Sequence, residues 1–288
     1  MNKYVYKSAD GEKKIHSFYN KVLADLAISY GEQYIETSFG KTHMLIVGSL
    51  DKPPIFTVHG GNGISPLNIK LFLPLLKHFC IYAPDVIGFP GKSEPARMNP
   101  KDDSYGLWLK EILDKLNVDK IPFVVSSYSS AMLLILAKVS PEKISKAVLL
   151  VPSGIAHGSI LSIVRKQMLP FMTYSIKATD TRLKKAFEPM LTEEDAIWYD
   201  FFHIMLTDYK MEMRAPREFS AKEMENLKAP LFIIASNEDI FFPANRVFTK
   251  ADKIFKNIKI KKTITGKHLP ASSTMNTLCD EITSFLLE

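Results

Sequence analysis

The chain has 288 residues, of which 46% are hydrophobic, 24% charged and 11% aromatic, a composition that excludes a disordered tail, a collagen-like repeat and a disulfide scaffold. Its two cysteines, Cys80 and Cys279, lie in apolar surroundings and read as buried free thiols of a reducing compartment. The 37 basic and 31 acidic residues leave a net charge of +6, and the densest basic run, residues 253–267, alternates with Ile254, Phe255, Ile258 and Ile260; that is the pattern of a solvated helix and strand face, not of a nucleic-acid groove.

The N-terminus is polar through Lys14 and lacks the apolar centre of a signal peptide. No apolar run approaches the ~20 residues needed to cross a bilayer, so the expectation is a soluble, cytoplasmic protein. Phe18, Tyr19, Val22, Leu23, Leu26 and Ala27 form a helical stripe, within a helix at about 15–30 that Gly31 would stop. Residues 34–39 and 42–47 flank Gly40 and Lys41 as a hairpin. A strand at 55–58 then runs into the loop His59, Gly60, Gly61, Asn62, Gly63, followed by a helix at 67–78 and a strand at 79–83 that ends near Asp85.

Asp102 is placed to cap a helix whose stripe is Tyr105, Trp108, Leu109, Ile112, Leu113 and Leu116. Residues 123–125 form a strand leading into the serine cluster 126–130, and residues 131–137 are apolar on every side, as a fully buried helix must be. Strands at 147–151, 231–235 and 258–264, a helix from about 244 and a last helix ending at Leu287 complete an alternation that predicts a mostly parallel sheet covered on both faces.

One stretch breaks that rhythm. Between Gly154 and Lys228 there are helical patterns but no strand, and Thr192 with Asp195 reads as a capping box opening a helix through Leu206. Seven of the twelve methionines fall here (168, 172, 190, 205, 211, 213 and 224), together with Trp198, Tyr199, Phe201 and Phe202. They predict the core of a helical insertion and, beyond that, a cap whose soft side chains wall a pocket for an apolar ligand.

Open α/β sheets bind ligands at the carboxyl ends of their strands. There the chain offers His59 to Gly61, then Asp85, the serines 126–130, Asp239 and His268. Serine, acid and histidine in that order follow the triad order of the α/β-hydrolases. From about Gly40 onward the chain resembles that superfamily, in its capped, carboxylesterase-like branch, through residues 54–61, 83–93, 120–130, 229–239 and 266–268.

The resemblance implies an α/β-hydrolase fold, with a core of residues 1–153 and 228–288 and a helical cap at 154–227. It also implies hydrolysis of a carboxylic ester or related acyl compound through an acyl-serine. Two registers compete for the nucleophile. Ser129 has small residues at both flanking positions, Ser127 and Ala131, whereas Ser127 fits the family spacing to Pro141, Glu142, Lys143 and Ile144 and is preferred. Val125 then stands where the family has a glycine, and a β-branched residue there calls for altered packing at the elbow. Ser126 and Ser130 are read as loop and helix-start residues making local backbone hydrogen bonds.

By the same resemblance His268 is the base and Asp239 its orienting acid, with adjacent Glu238 as the fallback. The amides of Gly61 and Tyr128 are the oxyanion donors, His59 holds its loop, and Asp85 belongs to a structural turn with one residue more than usual. The same triad also serves acyl transfer, C–C bond hydrolysis and perhydrolysis, and two rivals of other kinds stand beside this reading. Gly61, Gly63 and Asp85 form a degraded dinucleotide fingerprint with Pro66 at its third glycine, and a non-catalytic ligand-binding protein can use the same fold. No Cys/His/Asp cluster has metal-ligand spacing, so neither metal nor other cofactor is expected. The expected partner is a small apolar acyl substrate, with no nucleic acid and no membrane; a homo-oligomer is left open.

Overall fold

A computed structural model describes residues 4–288; the first three residues of the polar N-terminus lie outside it. Among the described residues there are eight strands: β1 (Tyr30–Thr37), β2 (Gly40–Val47), β3 (Pro54–Val58), β4 (Cys80–Pro84), β5 (Ile121–Ser126), β6 (Ile144–Leu150), β7 (Leu231–Ser236) and β8 (Ile258–Ile264). They form one sheet in the order β1-β2-β4-β3-β5-β6-β7-β8. The pairs β1–β2 and β2–β4 are antiparallel and the other five are parallel. Ten α-helices accompany them among those residues: α1 (Ala9–Asp25), α2 (Ser65–Leu71), α3 (Ser104–Lys115), α4 (Tyr128–Val139), α5 (Ile160–Ile163), α6 (Leu169–Ile176), α7 (Asp180–Phe187), α8 (Ala196–Asp208), α9 (Ala244–Ile254) and α10 (Ser272–Leu287).

The central strands are apolar on both faces because helices cover both. Alternate residues separate into two cores, as the period of two requires. Phe56, Phe123, Val125, Leu149 and Ile233 meet α3, α4 and α9 on one face, while Ile55, Val124, Val148, Leu150, Phe232 and Ile234 meet α1, α2 and α10 on the other. The exposed edge strand β8 carries the lysine run; Lys261 pairs with Asp252 of α9 and Lys262 with Glu281 of α10. Cys80 and Cys279 are buried free thiols, and burial pushes Cys279 up to about 12.

Several boundaries differ from the sequence reading. Helix α1 begins at Ala9, where the Ser8 hydroxyl accepts from Gly11 N, and it ends at Leu26 because Ala27 turns left-handed at φ 50°. Gly31 is therefore inside β1, not a helix stop. The hairpin turn is Ser38-Phe39, since Thr37 already pairs with Gly40. The expected helix at 67–78 breaks after α2 and continues as a 3-10 turn, Leu73–Lys77, around Pro74, whose missing N–H and ring cannot continue α2. The cap residue of α3 is Asp103, while Asp102 accepts from Ser104 N. Asp195 alone caps α8, accepting from Ile197 N; Thr192 is drawn away by a tertiary contact described below.

Helices α3 and α4 touch at Gly106. A Cβ there would lie 2.6 Å from the carbonyl carbon of Ile135, in the backbone of α4. Gly106→Ala is expected to cost roughly 1–3 kcal/mol of unfolding free energy, readable as a lower urea midpoint at unchanged slope.

The stretch between β6 and β7 holds helices and no named strand among the described residues. Helix α5 passes through a π-helical turn, Val164–Met168, directly into α6. Phe187 and Phe202 stack at 3.6 Å, and Phe201 stacks on Phe18 of α1 at 5.8 Å. Lys7 N donates to Asp208 O, and Lys210 N to Val5 O. The N-terminal helix thus packs on the insertion, and Phe201, Phe202 and Met205 are core side chains of that contact. Among the described residues, no helix is long and apolar enough to cross a membrane, and no group of ligating side chains could hold a metal ion.

Candidate active site

Strand β5 ends in a sharp turn at Ser127, with φ 54° and ψ −124°, and α4 starts at the next residue. A non-glycine residue in this region carries strain of order 1–3 kcal/mol. Neighbouring groups hold it there. Ser127 N donates to Leu150 O at 2.9 Å, and Ser127 O accepts from Ser153 N at 3.1 Å and from Ser153 Oγ at 2.9 Å. Val125 does not prevent the turn, because its side chain points into the core between β5 and helices α3 and α4.

His268 lies on the loop between β8 and α10, and Asp239 on the loop between β7 and α9. His268 Nε2 is 2.8 Å from Ser127 Oγ, and Nδ1 is 2.8 Å from Asp239 Oδ2. Asp239 is fully buried at its side chain and its other oxygen accepts from Phe241 N at 2.7 Å. With Nδ1–H donated to the carboxylate, Nε2 is left as an acceptor facing the serine hydroxyl. Glu238, the fallback acid, instead accepts from Gly266 N at 3.1 Å and so steadies the histidine loop. Thr192 reaches the same loop, accepting from Lys267 N and donating to Leu269 O, which removes it from the expected capping box. Phe241 and Phe242 flank His268 with ring centroids 5.1 and 5.7 Å away.

The other serines have different surroundings. Ser129 is fully buried; its Oγ lies 2.7 Å from Val58 O and 2.8 Å from Ser126 O and accepts from Ser126 N. Ser126 Oγ faces Asn68 Oδ1 at 3.4 Å. The Ser130 hydroxyl is buried without a partner. The local backbone bonding expected of Ser126 and Ser130 is thus made by Ser129.

The glycine loop after β3 presses against this turn. A Cβ on Gly60 would sit 3.4 Å from Ser127 Cβ, and one on Gly61 would sit 3.0 Å from the Tyr128 ring. Tyr128 is the first residue of α4, whose cap makes no side-chain hydrogen bond, so its amide belongs to the helix's unfilled first turn. Gly61 and Tyr128 are thereby neighbours beside Ser127. His59 holds the loop from beneath: Nε2 accepts from Val86 N at 3.0 Å, and Nδ1 donates to Gly60 O at 2.9 Å. Burial keeps His59 below its usual range, only partly offset by Asp85 and the Gly60 carbonyl, which suits the neutral ring these bonds need.

Asp85 is buried and bonded within its own turn. One oxygen accepts from Lys92 N and faces His43 Nδ1 at 2.9 Å, and the other accepts from Ser65 N. Burial alone would raise its pKa, but the hydrogen bond to His43, with His59 and the Lys92 amide, outweighs it and holds the carboxyl low. Its side chain is completely buried and out of reach of a ribose, which removes the support for the dinucleotide reading.

Asn62 is a site residue that the sequence reading passed over. It has φ 54°, and its side chain clasps the backbone of Glu212 at the end of the insertion: Oδ1 accepts from Glu212 N at 2.6 Å and Nδ2 donates to Glu212 O at 3.1 Å. The Glu212 carboxylate is buried; burial would raise it, but the hydrogen bonds of Arg214 and the charge of Arg97 keep it low. Asn62→Gly keeps the left-handed backbone available and deletes only the clasp. With net values near 1 kcal/mol for each of the two bonds, kcat is expected to fall by up to about 30-fold while KM stays within about twofold.

A cavity of about 550 Å³ opens where the insertion meets the β7–α9 loop and touches Asp239; Ser162, Lys166, Glu188, Arg246 and Lys267 line it. Pro189, Ile240 and Pro243 share that lining, so it mixes charged and apolar side chains. Apart from a lone asparagine beside two glycines, nothing in the sequence marked Asn62, Ser153 or Phe241 for the site, and Thr192 was marked only as a helix cap; Asn62, Ser153 and Thr192 act through partners distant in the chain.

A carboxylesterase of Bacillus subtilis (strain 168), YbfK, is 20% identical over 98% of this chain and 96% of its own length. An uncharacterized carboxylesterase of the same organism, nap, is 20% identical over 87% of this chain and 85% of its own. The crystal structure of naproxen esterase from Bacillus subtilis superposes with a TM-score of 0.81 at 18% identity, covering 97% of this chain and 99% of that one. The family model for the alpha/beta hydrolase fold matches residues 53–226, more than half of the chain; with its eight-stranded sheet and strand-to-helix turn at Ser127, the protein belongs to the α/β-hydrolase fold family.

Proposed function

We propose that the protein is a carboxylic ester hydrolase that works through an acyl-Ser127 intermediate. The observation that carries this reading is the pair of 2.8 Å contacts that His268 makes to Ser127 Oγ and Asp239 Oδ2. His268 takes the hydroxyl proton as Ser127 attacks the ester carbonyl, and Asp239 stabilises the imidazolium that forms. The charge developing on the carbonyl oxygen meets the amides of Gly61 and Tyr128. His268 then returns the proton to the leaving alcohol, and water, activated by the same imidazole, releases the acid.

The carboxylesterases named above support the ester as substrate class over a dinucleotide-dependent reaction. Phe241 and Phe242 beside His268 favour a carbon-rich acyl or alcohol group. The helical stretch at 154–227 serves as a cap: Thr192 ties it to the histidine loop and Glu212 to the glycine loop, so its position governs both sides of the site.

Labelling with a fluorophosphonate probe, followed by peptide mass spectrometry, tests the proposal. Modification of Ser127 that His268→Ala suppresses is the expected result, with turnover of a short-chain aryl ester by the same sample. A label on Ser129 would move the nucleophile and keep the class. No label on folded protein would overturn hydrolysis and leave a ligand-binding protein on the same fold.

A further inference from the structure

The first helical run of the insertion turns a row of apolar side chains into solvent. Ile160, Leu161, Met168, Leu169, Met172 and Ile176 are between 41 and 82% exposed along α5, the π-helical turn and α6. The opposite side of the same run is anchored by buried Gln167, Pro170 and Tyr174. Scattered exposed apolar residues are ordinary, but six on one continuous run form a patch that needs an occupant.

Charge says which. There is no Asp or Glu between Glu142 and Asp180. Arg165, Lys166 and Lys177 stand exposed among the apolar residues, and none of them enters an ion pair among the described residues. Elsewhere on the insertion and beside it, Lys184 and Lys267 are paired with Glu194 and Glu188. A second copy of the chain, meeting this face across a two-fold axis, would set the three cations against their own images. An anionic lipid surface offers what the face lacks: acyl chains for the apolar row and negative headgroups for the cations.

We propose that the α5–α6 face docks the protein on an anionic lipid surface, with the helical run lying in the headgroup plane. This departs from the expectation of no membrane, which rested on the absence of a spanning stretch; a helix lying in the surface needs none. Ser162 and Lys166 of the same run line the cavity that touches Asp239, so the docked face borders the site.

Cosedimentation of the whole protein with vesicles tests this, using phosphatidylcholine alone and phosphatidylcholine with about one-third phosphatidylglycerol. Binding is expected only to the anionic vesicles, weakening as salt is added. Arg165→Gln with Lys177→Gln is expected to weaken it about 30-fold, from about 1 kcal/mol per cation, and Met172→Glu with Ile176→Glu to abolish it. All four side chains are exposed, and an unchanged Tm shows that the variants fold. Ser127→Ala is expected to bind as the wild type does, which separates this inference from the ester-hydrolase reading. No binding to anionic vesicles overturns the proposal, as does a dimer that Met172→Glu dissolves in the absence of vesicle binding.

Discussion

Asp239→Asn is expected to lower kcat by about 10⁴ with little change in KM. The carboxylate accepts two hydrogen bonds, from Phe241 N at 2.7 Å and from His268 Nδ1 at 2.8 Å. Asparagine is the same size but has one acceptor oxygen and one NH2 group. The amide of Phe241 can only donate, so the oxygen turns toward it and the NH2 faces His268. The imidazole then adopts the other tautomer, with hydrogen on Nε2, and cannot accept the Ser127 proton. Steady-state kinetics on an aryl ester, with Tm measured beside it, checks the expectation. Activity within tenfold of wild type in a stable variant would show that Asp239 does not orient the base.

The sheet and the order of serine, acid and histidine were legible in the sequence because both rest on local signals. Strands β5, β6 and β7 are apolar runs too short for helices, and each strand end carries its polar residue within a few positions. Val125 showed the limit of reading one position at a time. A β-branched residue at the glycine position looked like an obstacle to the elbow, yet alternation along β5 sends that side chain into the α3–α4 core. The strain instead resides in Ser127 itself and is held by Ser153 and Leu150.

What stayed illegible depends on partners far away in the chain. Thr192 has the residue type and spacing of a helix cap, but two hydrogen bonds to the histidine loop claim its hydroxyl. Gly31 looked like a helix stop, while Ala27 took the left-handed conformation earlier and released the chain into β1. Asn62 and Glu212 are separated by 150 positions, and no periodicity could have joined them. The methionine-rich stretch carried a mixed signal. Met205 packs inward against the aromatic core, whereas Met168 and Met172 face solvent, and composition alone does not distinguish the two.

Gly61→Ala is the second large effect expected, a fall in kcat of about 10² with KM nearly unchanged and a modest loss of stability from the crowded methyl. Gly61 does not have positive φ, so alanine is acceptable to its backbone and the effect lies in the added methyl group. That methyl would lie 3.0 Å from Tyr128 Cδ2 and 3.1 Å from its Cβ. The ring cannot easily yield, since Phe89 and Tyr105 pack edge-on against it at 5.5 and 6.4 Å and its hydroxyl faces Arg214 O. Nor is the loop free to retreat, because Asn62 is fastened to Glu212 and His59 to Val86. A few tenths of an ångström must therefore separate Gly61 from Tyr128, the two residues whose amides are assigned to the same developing charge. A loss in kcat with KM unchanged and the fluorophosphonate label slowed in proportion, in a variant that still unfolds cooperatively, is the signature of displaced donors. Wild-type turnover in this variant would place the oxyanion elsewhere.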